Sequence, residues 1–261
     1  MENKLRKLLS AGEGSVATRV ASAWPIITEI VGATGSYDYV EFLTEYAPHT
    51  VADYENLARA CEVHGMGSIV KVDYQNRAYV AQKAIAAGMQ GILFTDCKTA
   101  EDVANCIYVT MPDSITYGGR FGYPNYRFIG YEPAAPQMEY AKHIKDIVRL
   151  FMIEKKDAVD NIEAICKVPG VDMIQFGPSD YSMSLGKNLA DNLAEAKEAE
   201  RHCIKVALEN GVQPRAEVGS VDDIQYYLDL GVKHICFGDQ VKILRDFWTT
   251  NGKIVKEKIH G

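Results

Sequence analysis

Short runs of consecutive apolar residues alternate with longer amphipathic stretches along the whole chain, with turn signals between them. Ser15 to Ala21 reads as a first strand. A helical pattern follows from Trp24, with Ile27, Ile30 and Val31 apolar, and ends near Gly35. Tyr39 to Leu43 is a second strand, and Val51 to His64 a helix that places Leu57, Ala58 and Cys61 on one face and stops at Gly65. The unit then repeats: strand Ser68 to Val72, helix Gln75 to Ala87, strand Gly91 to Phe94. Thr99-Ala100-Glu101-Asp102 opens a helix with an N-cap hydroxyl and early acidic residues that suit the helix dipole. Further strands are predicted at Ile147 to Ile153, Val171 to Phe176, Pro214 to Val218 and His234 to Phe237. Helices are predicted at Asp157 to Val168, Leu189 to Asn210 and Val221 to Leu230, and a last one carries Leu244, Phe247 and Trp248. Several strands are apolar at consecutive positions, as expected when both faces are buried. Eight strands with intervening helices predict a (β/α)8 TIM barrel, one domain over residues 1–261. A doubly wound open sheet is the weaker alternative, because no Gly-x-Gly-x-x-Gly turn follows the first strand. The irregular segment Thr116 to Pro136 interrupts the alternation, and a loop of that length is usually functional or partner-facing.

Composition narrows the class. With 28 Lys+Arg against 35 Asp+Glu the net charge is −7, which argues against sequence-independent nucleic-acid binding. No apolar run approaches the roughly 20 residues of a membrane span, and the start Met1-Glu2-Asn3-Lys4-Leu5 lacks the apolar core of a signal peptide. A cytoplasmic protein is expected. The six cysteines form no Cys-x-x-Cys pair. Cys61, Cys106, Cys166, Cys203 and Cys236 fall in helical or apolar runs and read as small buried thiols; Cys97 follows a strand and is the one candidate site residue among them.

In a barrel of this kind, chemistry sits where strands end. The polar strand ends are Thr44-Glu45-Tyr46-Ala47-Pro48-His49, Lys71-Val72-Asp73, Thr95-Asp96, Glu154-Lys155-Lys156, Gly177-Pro178-Ser179-Asp180, Arg215-Ala216-Glu217 and Gly238-Asp239. Glu154 and Asp180 follow consecutive strands, so their carboxylates can converge at the barrel mouth. Two hard oxygen ligands with positions left for water and substrate suit Mg²⁺ or Mn²⁺; the competing reading is that both simply cap helices. Arg215 and Glu217 alternate on one face of their strand and are expected to pair with each other inside the barrel.

The run Gly177-Pro178-Ser179-Asp180-Tyr181-Ser182-Met183-Ser184-Leu185-Gly186 resembles the signature of the HpcH/HpaI aldolase and citrate lyase family. Glu154, Ala158 to Ile165 and Pro169-Gly170-Val171-Asp172 are similar to the stretch after that family's metal-binding glutamate. Tyr37 to Val40 with Glu45 and Pro48, and Gly118-Gly119-Arg120-Phe121-Gly122, resemble its second strand and its glycine-arginine loop. The resemblance covers nearly the whole chain. It implies a barrel of the phosphoenolpyruvate/pyruvate type with an extra C-terminal helix and a divalent metal on Glu154 and Asp180 (Mg²⁺ or Mn²⁺, with Co²⁺ as a further option). It implies reversible cleavage of 4-hydroxy-2-oxo acids through a pyruvate enolate, with Gly177, Pro178, Ser179 and Arg120 binding substrate. It also implies a homo-oligomer, a hexamer built as three dimers that exchange C-terminal helices.

The departures from the family pattern fall on its proton-transfer residues. The family's histidine position is Tyr46, its third-strand arginine is Lys71, its helix aspartate is Ala86, and the glutamine before the metal glutamate is Met152. Tyr46 could move the proton if cations bring down a phenol of ordinary pKa near 10. Lys71 could supply that help, bind the carboxylate, or form a Schiff base; His49 could reach in from the same loop. Aromatic packing for Tyr46, a salt-bridged Lys71 and a structural His49 are the bland readings. Decarboxylation or hydrolysis of an oxo acid or acyl-CoA ester, or metabolite binding without turnover, are the rival functions. The tyrosines 117, 123, 126 and 131 suit either an interface or a ligand.

Overall fold

A computed structural model of the chain describes residues 2–123, 126–132 and 136–261. Eight parallel strands pair in sequence order, and β8 returns to β1 to close the barrel. The strands are β1 Ser15–Val20, β2 Tyr39–Phe42, β3 Gly67–Val72, β4 Gly91–Phe94, β5 Val148–Ile153, β6 Met173–Phe176, β7 Gln213–Val218 and β8 His234–Asp239. The helices are α1 Lys4–Ala11, α2 Ile26–Ala33, α3 Val51–Val63, α4 Arg77–Ala87, α5 Ala100–Thr110, α6 Gln137–Lys145, α7 Lys156–Asp160, α8 Ile162–Cys166, α9 Pro178–Ser184, α10 Leu193–Glu209, α11 Ile224–Asp229 and α12 Gln240–His260. Parallel strands joined by helices need both faces covered, which is why β2 to β6 are buried along their whole length.

The inner face and the helix-facing face form separate cores. Ala17, Tyr39, Ile69, Leu93, Leu150, Met173 and Cys236 fill the barrel, and Leu5 of α1 plugs its lower end. Outside, Phe42, Phe94 and Phe151 pack against Leu57, Ile85 and Ile107 of the helices, with Phe94 and Phe151 stacked at 5.3 Å between ring centroids. All six cysteines are buried free thiols, Cys97 included.

The floor, where strands begin, is a polar seal. Arg149 is 1% exposed. Its guanidinium donates to the carbonyls of Thr110, Ile144, Lys145 and Ile147 and to the Thr110 hydroxyl, at 2.8–3.2 Å. Arg6 on α1 forms a two-pronged pair with Asp172 at 2.7 and 2.6 Å. The Arg149 bonds reach carbonyls at the C-terminal ends of α5 and α6, where helices leave such groups short of intrahelical partners.

Three elements differ from the sequence expectation. α1 carries one fully buried side chain, Leu5, and α6 buries Tyr140, Ala141 and Ile144; neither has enough apolar periodicity to stand out. The helix expected over Asp157 to Val168 breaks at Asn161, whose side chain donates to the Lys98 carbonyl at 3.0 Å. Asparagine readily leaves the helix for such side-chain bonds. α12 has no buried residue, and Phe247 and Trp248 are 62% and 64% exposed.

Candidate active site

The strand ends open into a cavity of about 560 Å³ lined by Lys71, Met152, Glu154, Gly177, Pro178, Ser179 and Asp180, with Arg19, Glu217 and Asp239 along one wall. β5 ends at Ile153, which delivers Glu154 to the mouth at 3% exposure. β6 ends at Phe176, and Gly177 passes directly into α9 with Pro178 at the first helical position, where a missing N–H costs nothing. Asp180 sits in that first turn. Gly177 is needed for close approach: a Cβ there would lie 2.7 Å from Glu154 Cβ and 3.2 Å from its Oε2. The other carboxylate oxygen, Oε1, accepts the Asp96 N–H at 2.9 Å. Burial pushes the Glu154 carboxyl above its ordinary range, against the Lys71 ammonium and the Asp96 amide, while the neighbouring Asp180 and Asp96 push it further.

The two carboxylates thus share one polar cleft, as the metal reading requires. Among the described residues no group of three or more His, Cys, Asp or Glu side chains forms a metal cluster. Glu154 and Asp180 are two hard oxygen donors, a set whose chemistry fits Mg²⁺ or Mn²⁺.

Lys71 on β3 pairs with Glu45 Oε2 at 2.8 Å, both side chains under 10% exposed. Burial opposes its charge, but Glu154, Glu45 and Glu41 more than offset that and raise its pKa. An imine-forming lysine needs the opposite shift. The Lys71 ammonium lies 5.5 Å from the Tyr46 ring centroid. It does not bring the phenol down: partial burial and the Glu45 carboxylate push the Tyr46 ionisation well up. The cation expected to activate Tyr46 is already paired with Glu45, and the phenol is held in its protonated form.

His49 lies on the same loop with both ring nitrogens engaged. Nε2 donates to the Ala21 carbonyl at 3.0 Å, and Nδ1 accepts from the Thr44 hydroxyl at 3.0 Å. Burial lowers its pKa, which keeps it neutral. This histidine ties the end of β1 to the β2 loop.

Arg120 is not brought to this mouth. Its N–H bonds the Tyr108 carbonyl at 2.9 Å, and Phe121 N–H bonds the Met111 carbonyl at 2.9 Å. Those bonds fasten the loop to the C-terminal end of α5, the same end that Arg149 seals. Ala86 lies in the last turn of α4. Of the loop that carries Arg120, residues 124–125 and 133–135 lie outside the described residues.

Arg215 and Glu217 do not pair with each other, contrary to the sequence expectation. Arg215 is 2% exposed and donates to the Glu41 carboxylate across the barrel and to the Gln175 side-chain oxygen. Glu217 pairs with Arg19, which also bonds Asp239 at 2.8 Å. Side chains two apart on a strand are separated by roughly 7 Å, so partners on other strands come closer.

Two mouth residues carry no role in the sequence reading. Lys155, next to Glu154, places its ammonium 3.0 Å from Asp96 Oδ1 and 3.1 Å from Asp180 Oδ1. Asp96 adopts a left-handed backbone with φ 54°, a conformation that costs a non-glycine residue about 1 kcal/mol or more. Their strand-end positions were visible; their mutual contact depends on which loops face one another.

Residues 19–245 match the HpcH/HpaI aldolase/citrate lyase family. A 5-keto-4-deoxy-D-glucarate aldolase of Klebsiella pneumoniae is 27% identical over 253 residues, covering 93% of each chain. An HpcH/HpaI aldolase of Desulfitobacterium hafniense superposes with a TM-score of 0.89 at 23% identity over 98% of both chains. The citrate synthase SbnG does so at 0.86 and 24% identity over 100% of both. No helix among the described residues is long and apolar enough to cross a membrane. The chain belongs to the HpcH/HpaI aldolase/citrate lyase family and is an enzyme of the carbon–carbon lyase class.

Proposed function

We propose that this enzyme is a divalent-metal-dependent lyase that cleaves or forms the carbon–carbon bond of a 4-hydroxy-2-oxo acid through a pyruvate-type enolate. The observation that carries the proposal is the convergence of Glu154, Asp180, Lys71 and the Gly177–Ser179 backbone on one cavity. A cation held by Glu154 and Asp180 supplies the charge that stabilises the enolate of a bound 2-oxo acid. The amides around Gly177 to Ser179, entering α9, orient the substrate carboxylate, and Lys71 adds a fixed positive charge beside it. Met152, 4% exposed, makes the inner wall apolar and keeps water from the enolate carbon. Tyr46 donates its phenolic proton to the enolate carbon and regains one from solvent, to which the proton of the substrate 4-hydroxyl is lost as the carbon–carbon bond breaks; Tyr46 is 66% exposed. His49 fixes the loop that carries Tyr46.

None of the three proton-transfer candidates is a free base: Lys71 is paired, His49 is engaged at both nitrogens, and the Tyr46 ionisation is pushed up. That favours, as a second reading, reactions that reach the enolate by losing carbon dioxide from a 2-oxo diacid. Incubation with pyruvate and, separately, with oxaloacetate, each with Mg²⁺ and deuterated water and followed by NMR, tests both. Metal-dependent exchange supports the aldolase reading. Loss of oxaloacetate without methyl exchange moves the assignment to decarboxylation, and neither activity with any 2-oxo acid removes both.

The named relative acts on 5-keto-4-deoxy-D-glucarate, and a sugar-derived oxo acid of that kind is the first substrate to assay. The exposed apolar side chains of α12 and the remoteness of Arg120 from its own mouth support a homo-oligomer, the hexamer of three dimers, in which Arg120 serves a neighbour's site. Light scattering at micromolar concentration tests that: a monomer mass ends the oligomer proposal and Arg120's role with it.

A further inference from the structure

The mouth holds a cation of its own. Lys155 follows Glu154 directly and takes the N-cap position of α7 in an extended conformation, φ −131° and ψ 151°. Its backbone is therefore fixed beside the Glu154 carboxylate, and its stem reaches outward. The ammonium ends between two carboxylates from different strand ends, 3.0 Å from Asp96 Oδ1 and 3.1 Å from Asp180 Oδ1. Asp180 is one of the two groups that fit a divalent cation. Asp96 is not idle either: its N–H holds Glu154, and its strained backbone aims its carboxylate at Lys155. Three carboxylates thus share this edge of the cavity, and Lys155 is the counter-ion that reaches two of them.

We propose that Lys155 is a positioning residue that competes with the divalent cation for Asp180, and that Asp96 retains the ammonium once the cation has displaced it. This rests on the reading of Glu154 and Asp180 as metal ligands. An ammonium a few ångströms from a dication opposes binding, and an ion pair must open before Asp180 can turn to the metal. The resting affinity is lowered, and Asp180 is held ready in the absence of metal. The salt bridge from Lys155 to Asp96 gives the displaced charge a partner, so the exchange leaves no carboxylate or ammonium unpaired.

Titration of metal-stripped protein with Mn²⁺, read by the loss of the free-ion electron spin resonance signal, tests this without any assay of turnover. K155M and K155Q keep much of the stem and remove the charge; both are expected to bind Mn²⁺ roughly tenfold more tightly than the unaltered protein. K155R keeps the charge and is expected to bind as the unaltered protein does. A merely structural lysine gives the reverse order, with the neutral variants weaker and K155R closest to normal. Neutral variants that bind no more tightly overturn the proposal. E154Q separates the two failures. If Mn²⁺ binding is lost in E154Q yet unchanged in K155M and K155Q, the competition is wrong and the metal reading stands. If Mn²⁺ binds equally with and without Glu154, or never binds, both fall together.

Discussion

The two ends of the barrel both bury cations, and they use them differently. At the floor, Arg149 spends its donors on backbone carbonyls and one hydroxyl, and Arg6 grips Asp172 with both prongs. Every partner there is fixed in place by the chain itself. At the mouth, Lys71 and Lys155 pair only with carboxylate side chains, and Asp96 and Asp180 keep 36% and 29% of their side-chain surface exposed. The two partners of Lys155 can exchange. The floor is built to stay shut, and the mouth to trade one charge for another, which matches the division between stability and chemistry known for this architecture.

The sharpest break in that comparison comes from one substitution at each end. Arg149→Met strands several buried carbonyls and is expected to cost about 4 kcal/mol of folding stability. Activity per folded molecule stays unchanged. Glu154→Gln is expected to do the reverse: pyruvate exchange falls by about a thousandfold, while the melting temperature holds or rises, because a buried carboxylate that burial disfavours is gone. Urea denaturation and NMR exchange on both proteins check the pair. A stable, inactive Arg149→Met or an unfolded Glu154→Gln would erase the distinction.

The barrel was legible because consecutive apolar strands and glycine stops are local signals. The strands from Tyr39, Ser68, Gly91 and Pro214 fall within a residue or so of where they form. Glu154 and Asp180 were legible for the same reason, since a strand end marks the mouth. Lys155 and Asp96 are not, because their meaning lies in which loops meet. The same limit misplaced Arg215: two charges on one strand face suggested a pair, but Glu41 reaches it from across the barrel. Tyr46 comes within reach of the Lys71 ammonium, 5.5 Å from its ring centroid, but the expected help is reversed, since Lys71 belongs to Glu45.

The next smaller effect sharpens the floor. His234 begins β8, is 1% exposed and shares a 2.8 Å bond between Nδ1 and the Ser15 hydroxyl. Burial, then Arg215 and Lys233, lower its pKa from 6.5 to about 4. The folded state therefore refuses a proton that the unfolded chain takes up below about pH 6.5. Stability is undiminished above that value and falls as pH drops toward 4, by about 3 kcal/mol in all. Urea midpoints between pH 7 and 4 measure it; His234→Gln is expected to flatten that part of the curve, and an unchanged slope would assign the acid sensitivity to other groups.

The smallest effect probes the mouth. Tyr46→Phe removes the proposed donor and is expected to lower pyruvate exchange by about a hundredfold with stability unaltered. Glu45→Gln is the more discriminating change. It removes the negative charge that, after burial, holds the phenol protonated, and it frees the Lys71 ammonium beneath the ring. Both act in one direction: the Tyr46 ionisation moves down, so the alkaline fall in activity should begin at lower pH than in the unaltered enzyme. The shift must vanish in the Glu45→Gln, Tyr46→Phe double variant. If it persists there, the alkaline limb belongs to another group, and Tyr46 packs at the rim without moving the proton.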